Sequence, residues 1–439
     1  MSYEINYDYL RLKKAQSLKD WYEKPFYKKE KLNVEVYNDA TILPLKTFPE
    51  DNLLFGRGGV VDSNSNYITE SAIFRRLEGS YDVSSEEYNY ENKKVVYCGY
   101  FVNHWGHFLV EAISRLWYVL KNDNTIDNYV FFVCYNEERE ISGNYRELFK
   151  LLGILDKIIL INKPTRFREV VVPEMGYRWK SYYSSEFKDM LEFVSNRVIP
   201  NKNWNTYDKI FFTRSQLPTI SKRELGVEML DSFFVNNGYK IISPEKLQLS
   251  QLIYIMRNAK QCASVSGTLP HNLLFAKEGQ KIIIIERMCL NTDHQVDINR
   301  IKNLEAIYID ANISPYTAGG ASAPSIMSYR GKLENYAKDN NLNSPDEKFT
   351  TDKYLRQCLI KYLKEYKKLL GYQWFLVDWC TVYIDYVIEA YYDSLNYFGD
   401  YLRRKKALRW YEHFQLHFIN IKLNIIIRKI KNKIKKIIK

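Results

Sequence analysis

From about Lys31 to Pro200, short apolar runs alternate with stretches whose apolar positions recur every three or four residues. The runs predict strands at Val34–Tyr37, Val95–Phe101, Tyr129–Cys134, Lys157–Ile161 and Val170–Val172. The periodic stretches predict helices at His107–Lys121, Tyr145–Leu152 and Glu186–Arg197, an α/β layer with parallel pairing. After the polar, turn-rich Pro200–Tyr207 the alternation resumes. Strands are expected at Lys209–Arg214, Lys240–Ser243, Cys262–Ser266, Lys281–Glu286 and Ala306–Asp310. Helices are expected at Val227–Asn236, Ser250–Ala259 (Ser250 as N-cap) and Leu269–Ala276. Beyond a small-residue loop at Ser314–Ser325, the segment Asp346–Lys439 is helical in pattern. This divides the chain into an N-terminal Rossmann-like unit (1–200), a second such unit (201–345) and a helical extension (346–439), with a cleft between the first two.

Within Gly99–Leu120, a strand of buried type runs through Asn103, His104 and Gly106 into a helix. Leu109, Ala112, Leu116 and Leu120 share one face of it; His107, Glu111 and Arg115 fall on the other, four residues apart. An imidazole, a carboxylate and a guanidinium at the carboxyl end of a strand lie where open α/β sheets place ligands. A second candidate is Ser264–Phe275, where Gly267 and Thr268 precede a helix carrying His271 and Asn272; such a turn presents backbone N–H groups to an anion. Arg214 and Lys222-Arg223 supply nearby cations suited to phosphate, and Glu286 ends a strand where a ribose hydroxyl is a fitting partner. His104-x-x-His107 with Glu111, and His413 with His417, lack a third metal ligand in the sequence nearby, so no metal site is expected.

The net charge is +12, but residues 401–439 hold thirteen Lys or Arg against one acid, Glu412, so the remaining body is formally neutral. On a helical wheel Ile419, Leu423, Ile426, Ile427, Ile430, Ile434, Ile437 and Ile438 form one face, with Ile425 off it. Arg428, Lys429, Lys433 and Lys436 lie among the cations of the other, as in a helix lying on an anionic membrane surface. The neutral body argues against nucleic acid as the partner. No apolar run is long enough to span a bilayer, the N-terminus lacks a signal-type apolar core, and six scattered cysteines read as free thiols. The expectation is a cytoplasmic protein held peripherally at the inner face of the cell membrane.

Three motifs in this order resemble glycosyltransferase family 61, of the bacterial capsular polysaccharide type. GYFVNHWGHFLVEAISRLW is similar to N-x-G-H-x-L-x-D/E-x-x-x-R-L and matches it at His107, Glu111 and Arg115. IFFTR followed by KRELGVEML is similar to a strand-Arg and R-x-L-N-E-x-E-L, matching at Arg214, Arg223 and Glu228, with Gly226-Val227 in place of Asn-Glu. SVSGTLPHNLLF is similar to H-G-A-x-x-x-N-x-x-F, matching at Gly267, Asn272 and Phe275. The resemblance covers roughly residues 95–290.

It implies a GT-B architecture and inverting sugar transfer from a nucleotide sugar to a lipid-linked or growing glycan acceptor, without cofactor or metal. Glu111 or His107 would be the base, with Arg115 pairing with Glu111 and, beside Asn103 and His104, facing substrate. Arg214, Arg223, Gly267, Thr268, His271, Asn272 and Glu286 would hold the nucleotide. The other class of reading is a non-catalytic module that binds glycan or nucleotide sugar and is recruited to the membrane.

Overall fold

The computed structural model describes residues 4–365, apart from 52, 54, 74–75, 84–87, 218–222, 289–292, 315–322, 352, 356, 359–360 and 363–364, together with residue 427. The predicted basic helix at about 403–439, with Arg428, Lys429, Lys433 and Lys436, lies outside the described residues.

Two six-stranded sheets organise the body. In the first, β2 (Val34–Lys46), β3 (Arg57–Val61), β4 (Asn89–Tyr100), β5 (Asn128–Phe132), β6 (Ile158–Ile161) and β7 (Thr165–Pro173) lie in the order β3-β2-β7-β4-β5-β6. The run β7-β4-β5-β6 is parallel, but β2 runs antiparallel to both its neighbours, so the sheet is mixed where parallel pairing was predicted. The glycines of Phe55–Gly59 sit on the antiparallel edge: at Gly56, with φ +134°, a Cβ would run into the Lys46 carbonyl.

The second sheet is wholly parallel. It comprises β8 (Lys209–Phe212), β9 (Lys240–Ile242), β10 (Gln261–Val265), β11 (Lys281–Glu286) and β12 (Glu305–Asp310) in the order β9-β8-β10-β11-β12. This is a doubly wound order, and its switch point falls between β8 and β10. The far edge is completed by β1, Ile5–Asn6, paired parallel to β12. The helix α1 (Leu12–Tyr22) then packs on this second unit, with Arg11 paired to Asp310 at 2.5 Å. The start of the chain therefore joins the second sheet, not the first unit to which 1–200 assigned it. The core ignores that division as well: one continuous apolar cluster includes Phe131 and Leu191 from the first unit and Ile210, Leu273 and Ile284 from the second.

The helices that meet across the junction are α2 (Trp105–Val110), α3 (Gly143–Leu152), α4 (Ser185–Asn196) and α6 (Leu249–Asn258); α5 (Val227–Asn236), α7 (Asp293–Ile301) and α8 (Lys332–Asp339) complete the second unit. Glu147 of α3 accepts from the Leu249 and Ser250 amides at 2.6 and 3.0 Å, so α6 is capped across the junction and Ser250 is not its N-cap. Beneath it, Glu192 of α4 pairs with Arg257 at 3.1 Å and with Lys302. No helix among the described residues is long and apolar enough to cross a membrane, and Cys98, Cys134, Cys262 and Cys358 are free thiols.

Candidate functional site

The helix predicted from His107 to Lys121 is broken in the middle. Regular α geometry ends at Val110; Glu111 takes φ −133° and ψ −56°, and a tighter 3-10 segment continues over Ala112–Lys121. His107 and Glu111 still meet, with His107 Nδ1 3.1 Å from Glu111 Oε1. The two differ in access: the His107 side chain is 37% exposed, that of Glu111 only 6%. Arg76, from the loop after β3, brings Nη1 to 3.0 Å from the same oxygen. Glu111 Oε2 is buried with no hydrogen-bond partner.

Arg115 does not pair with Glu111. Every residue of this segment from Ala112 to Val119 is buried, so Arg115 has no polar, solvated face to stand on. Arg115 is wrapped inside, donating from Nε to the Pro173 carbonyl at 3.1 Å and from Nη2 to the Glu70 carbonyl at 2.6 Å. Its guanidinium lies over Tyr97. It anchors the 69–72 turn that precedes Arg76. Asn103 is exposed, and His104 caps α2, its Nδ1 accepting from the His107 amide at 3.4 Å. Desolvation first, and the neighbouring His107 second, lower the pKa of His104.

A residue that stands in no motif completes this cluster. His294, on α7, turns Nε2 to 3.9 Å from Glu111 Oε1 and lies tilted against Trp179, ring centroids 5.1 Å apart. Its Nδ1 lies 3.3 Å from the Tyr177 hydroxyl, which donates to Asp297 at 2.9 Å. Because the tyrosine proton is committed to Asp297, His294 Nδ1–H is the donor in the first contact, and the Nε2 lone pair faces Glu111. Burial, then the neighbouring His271 and Arg76, hold His294 well below its ordinary pKa; burial raises Asp297 to about 6. His107, Glu111 and His294 place one ligand atom each within 4.8 Å of one another, the third metal ligand missing from the local sequence.

The second sheet delivers the other half. The chain leaves β8 at Arg214 and β10 at Gly267, side by side at the switch point: a Cβ on Gly267 (φ +132°) would sit 3.3 Å from Arg287 Nη2 and 3.6 Å from Arg214 Nη1. Glu224 holds both cations, 2.8 Å from Arg214 Nε and 3.1 Å from Arg287 Nη1. Gly226 has a structural cause: with φ +97°, any Cβ there would collide with the Met327 carbonyl. Leu269–Phe275 is a 3-10 turn rather than the expected α-helix. Thr268 packs against Gly106, to whose Cβ position its Oγ1 lies 2.9 Å; His271 Nδ1 lies 3.1 Å from the same point. Burial pushes the His271 pKa down to about 3. Asn272 accepts the Trp105 indole N–H at 2.9 Å and donates to the Leu269 carbonyl, joining the units.

Two expected nucleotide contacts are placed elsewhere. Glu286 is wholly buried, 3.2 Å from Lys14, and has no opening to a ribose. Arg223 is exposed, its backbone carbonyl accepting from the Ser325 amide. A cavity of about 1170 Å³ opens between the units, lined by Trp105, Arg146, Lys150, Arg197, Trp204, Arg214, Lys246, Thr268 and Asn272 among others. His107 and Glu111 do not line it, whereas Thr268, which packs against Gly106, does.

The family model for Glycosyltransferase 61 matches residues 105–283, from the first residue of α2 into β11. No curated protein matches the chain.

Proposed function

The chain belongs to glycosyltransferase family 61 and is a glycosyltransferase, and on that premise we propose an inverting, metal-independent transfer with His107 as the base. The observation that carries this is the His107–Glu111 pair: a half-exposed imidazole whose Nδ1–H points at a buried carboxylate. With that proton held on Nδ1, the exposed Nε2 is the acceptor for an acceptor-hydroxyl proton, and Glu111 steadies the imidazolium that forms. Arg76 pairs with the same carboxylate oxygen and helps hold it in place. Of the two candidates, Glu111 is too enclosed to reach a sugar hydroxyl and serves as the orienting group.

The nucleotide diphosphate fits at the switch point of the second sheet, with Arg214 and the Gly267–Thr268 backbone facing the leaving phosphates. The cations and indoles of the large cavity suit the rest of the nucleotide. Thr268 lines the cavity and packs against Gly106, the residue before His107, so the donor's reacting carbon would meet the base at this contact. Trp179, 39% exposed beside His294, Lys180 and Arg76, is the aromatic contact proposed for an acceptor sugar. A GT-B architecture and a role in capsule or other surface-glycan synthesis accord with this reading. The basic segment at 403–439 would hold the enzyme at the cytoplasmic face, where a lipid-linked acceptor is met.

The test is a panel of nucleotide sugars with a glycan acceptor, run on the native chain and on Glu111→Gln. Expected is a kcat loss of ~10²–10⁴-fold with donor binding intact. Full turnover in Glu111→Gln would remove the pair from the mechanism. Donor binding without transfer or hydrolysis by the native chain, with every acceptor tried, would favour a non-catalytic binding module. Truncation after Leu402 should abolish binding to anionic vesicles while sparing nucleotide binding.

A further inference from the structure

We propose that His107, Glu111 and His294 form a binding site for a divalent ion of the zinc type, and that the ion switches off the base by occupying it. The three ligand atoms converge from separate places: His107 Nδ1 and Glu111 Oε1 flank the break after α2, and His294 Nε2 arrives on α7, 3.9 Å from that oxygen. All lie within 4.8 Å of one another, a spacing that modest side-chain rotation closes around one ion. Two imidazoles and a carboxylate are a donor set for zinc or cobalt rather than for magnesium or calcium.

Two further observations point to a ligand. His294 is already in the tautomer a metal needs, because Tyr177, itself bound to Asp297, takes its Nδ1–H and leaves Nε2 bare. Glu111 Oε2 is buried without a hydrogen-bond partner, a second oxygen with unused lone pairs. Arg76 opposes the ion, since its guanidinium sits on Glu111 Oε1 and repels a second cation. The site is thus contested between Arg76 and the metal.

The consequence for catalysis rests on the base assigned above. An ion on His107 Nδ1 displaces the proton shared with Glu111, and the neutral ring then carries its proton on Nε2. That nitrogen has no lone pair left for an acceptor hydroxyl, so transfer stops.

Titration of the full chain with Zn²⁺ and Co²⁺, without substrates, tests the site. Expected is one ion per chain with Co²⁺ ligand-field bands of mixed nitrogen and oxygen donors. His294→Gln should bind at least ~10-fold more weakly, and Arg76→Gln more tightly, a gain that misfolding cannot produce. His413→Gln/His417→Gln, which removes the paired histidines of the C-terminal segment, should leave the ion bound. Equal binding by the native chain and His294→Gln, loss of binding in the 413/417 variant, or no binding at all would overturn the site. If Zn²⁺ binds as described but leaves kcat unchanged, the base assignment fails and the metal site stands.

Discussion

The indole N–H of Trp105 donates to the Oδ1 of Asn272 at 2.9 Å, a bond that joins the first turn of α2 to the 3-10 turn after β10. It ties the segment carrying His107, the proposed base, to the segment proposed to face the leaving phosphates, at the rim of the large cavity. Asn272 is 2% exposed, so its oxygen has no water to fall back on.

Trp105→Phe keeps the ring and removes the donor. The orphaned amide oxygen should cost about 1–3 kcal/mol, read as a lower thermal midpoint. Because the two segments lose their register, kcat should fall while nucleotide affinity changes little. An unchanged midpoint would show the bond is not maintained in solution.

Arg115→Lys tests an internal strut. A lysine cannot reach the Pro173 and Glu70 carbonyls together, and each one left unpaired costs about 1–3 kcal/mol. The variant should melt earlier and, by loosening the turn before Arg76, lose activity at temperatures where it is still folded. Normal stability with a raised acceptor KM would instead return Arg115 to the substrate site.

Arg214→Ala removes the cation at the switch point but leaves Glu224 its partner Arg287. Nucleotide diphosphate binding should weaken by roughly 10- to 100-fold, as for a lost charge-assisted hydrogen bond. Nucleoside binding should change far less, which calorimetry with the two ligands would separate. Equal losses for both would place the phosphates elsewhere.

The buried histidines make the fold acid-sensitive. His271 titrates near 6.5 when unfolded and at about 3 when folded. Its contribution to stability is therefore complete above pH 6.5 and lost as pH falls toward 3, on the order of 4–5 kcal/mol. Lowered His294 adds in the same direction. Asp297, raised to about 6, works oppositely: its contribution is complete below its unfolded value near 3.8 and is lost as pH rises through 6. Unfolding by denaturant between pH 7 and 4 should show stability falling with acid, with a shallower slope in His271→Gln. An identical slope in that variant would mean His271 is protonated in the native state.

The alternating apolar runs and periodic stretches of this sequence were enough to place most strands and helices, because each element's period of burial is written in its own residues. The stretch IFFTR and the turn at Gly267 likewise marked two strand ends that meet at one switch point. Local pattern failed where long-range packing set the outcome. Arg115 and Glu286 have the chemistry of ligand-binding residues, yet buried carbonyls and Lys14 claim them. The break at Glu111 and the antiparallel β2 depend on neighbours distant in the chain. Arg76 and His294 stand in no motif; they reach Glu111 because the loop after β3 and the helix α7 are carried there by two different sheets. The sequence by itself determined the residue types of the site and the elements that bear them. Only the tertiary structure decided which charges face one another and which are sealed inside, because burial and pairing belong to the packed chain and not to any segment of it.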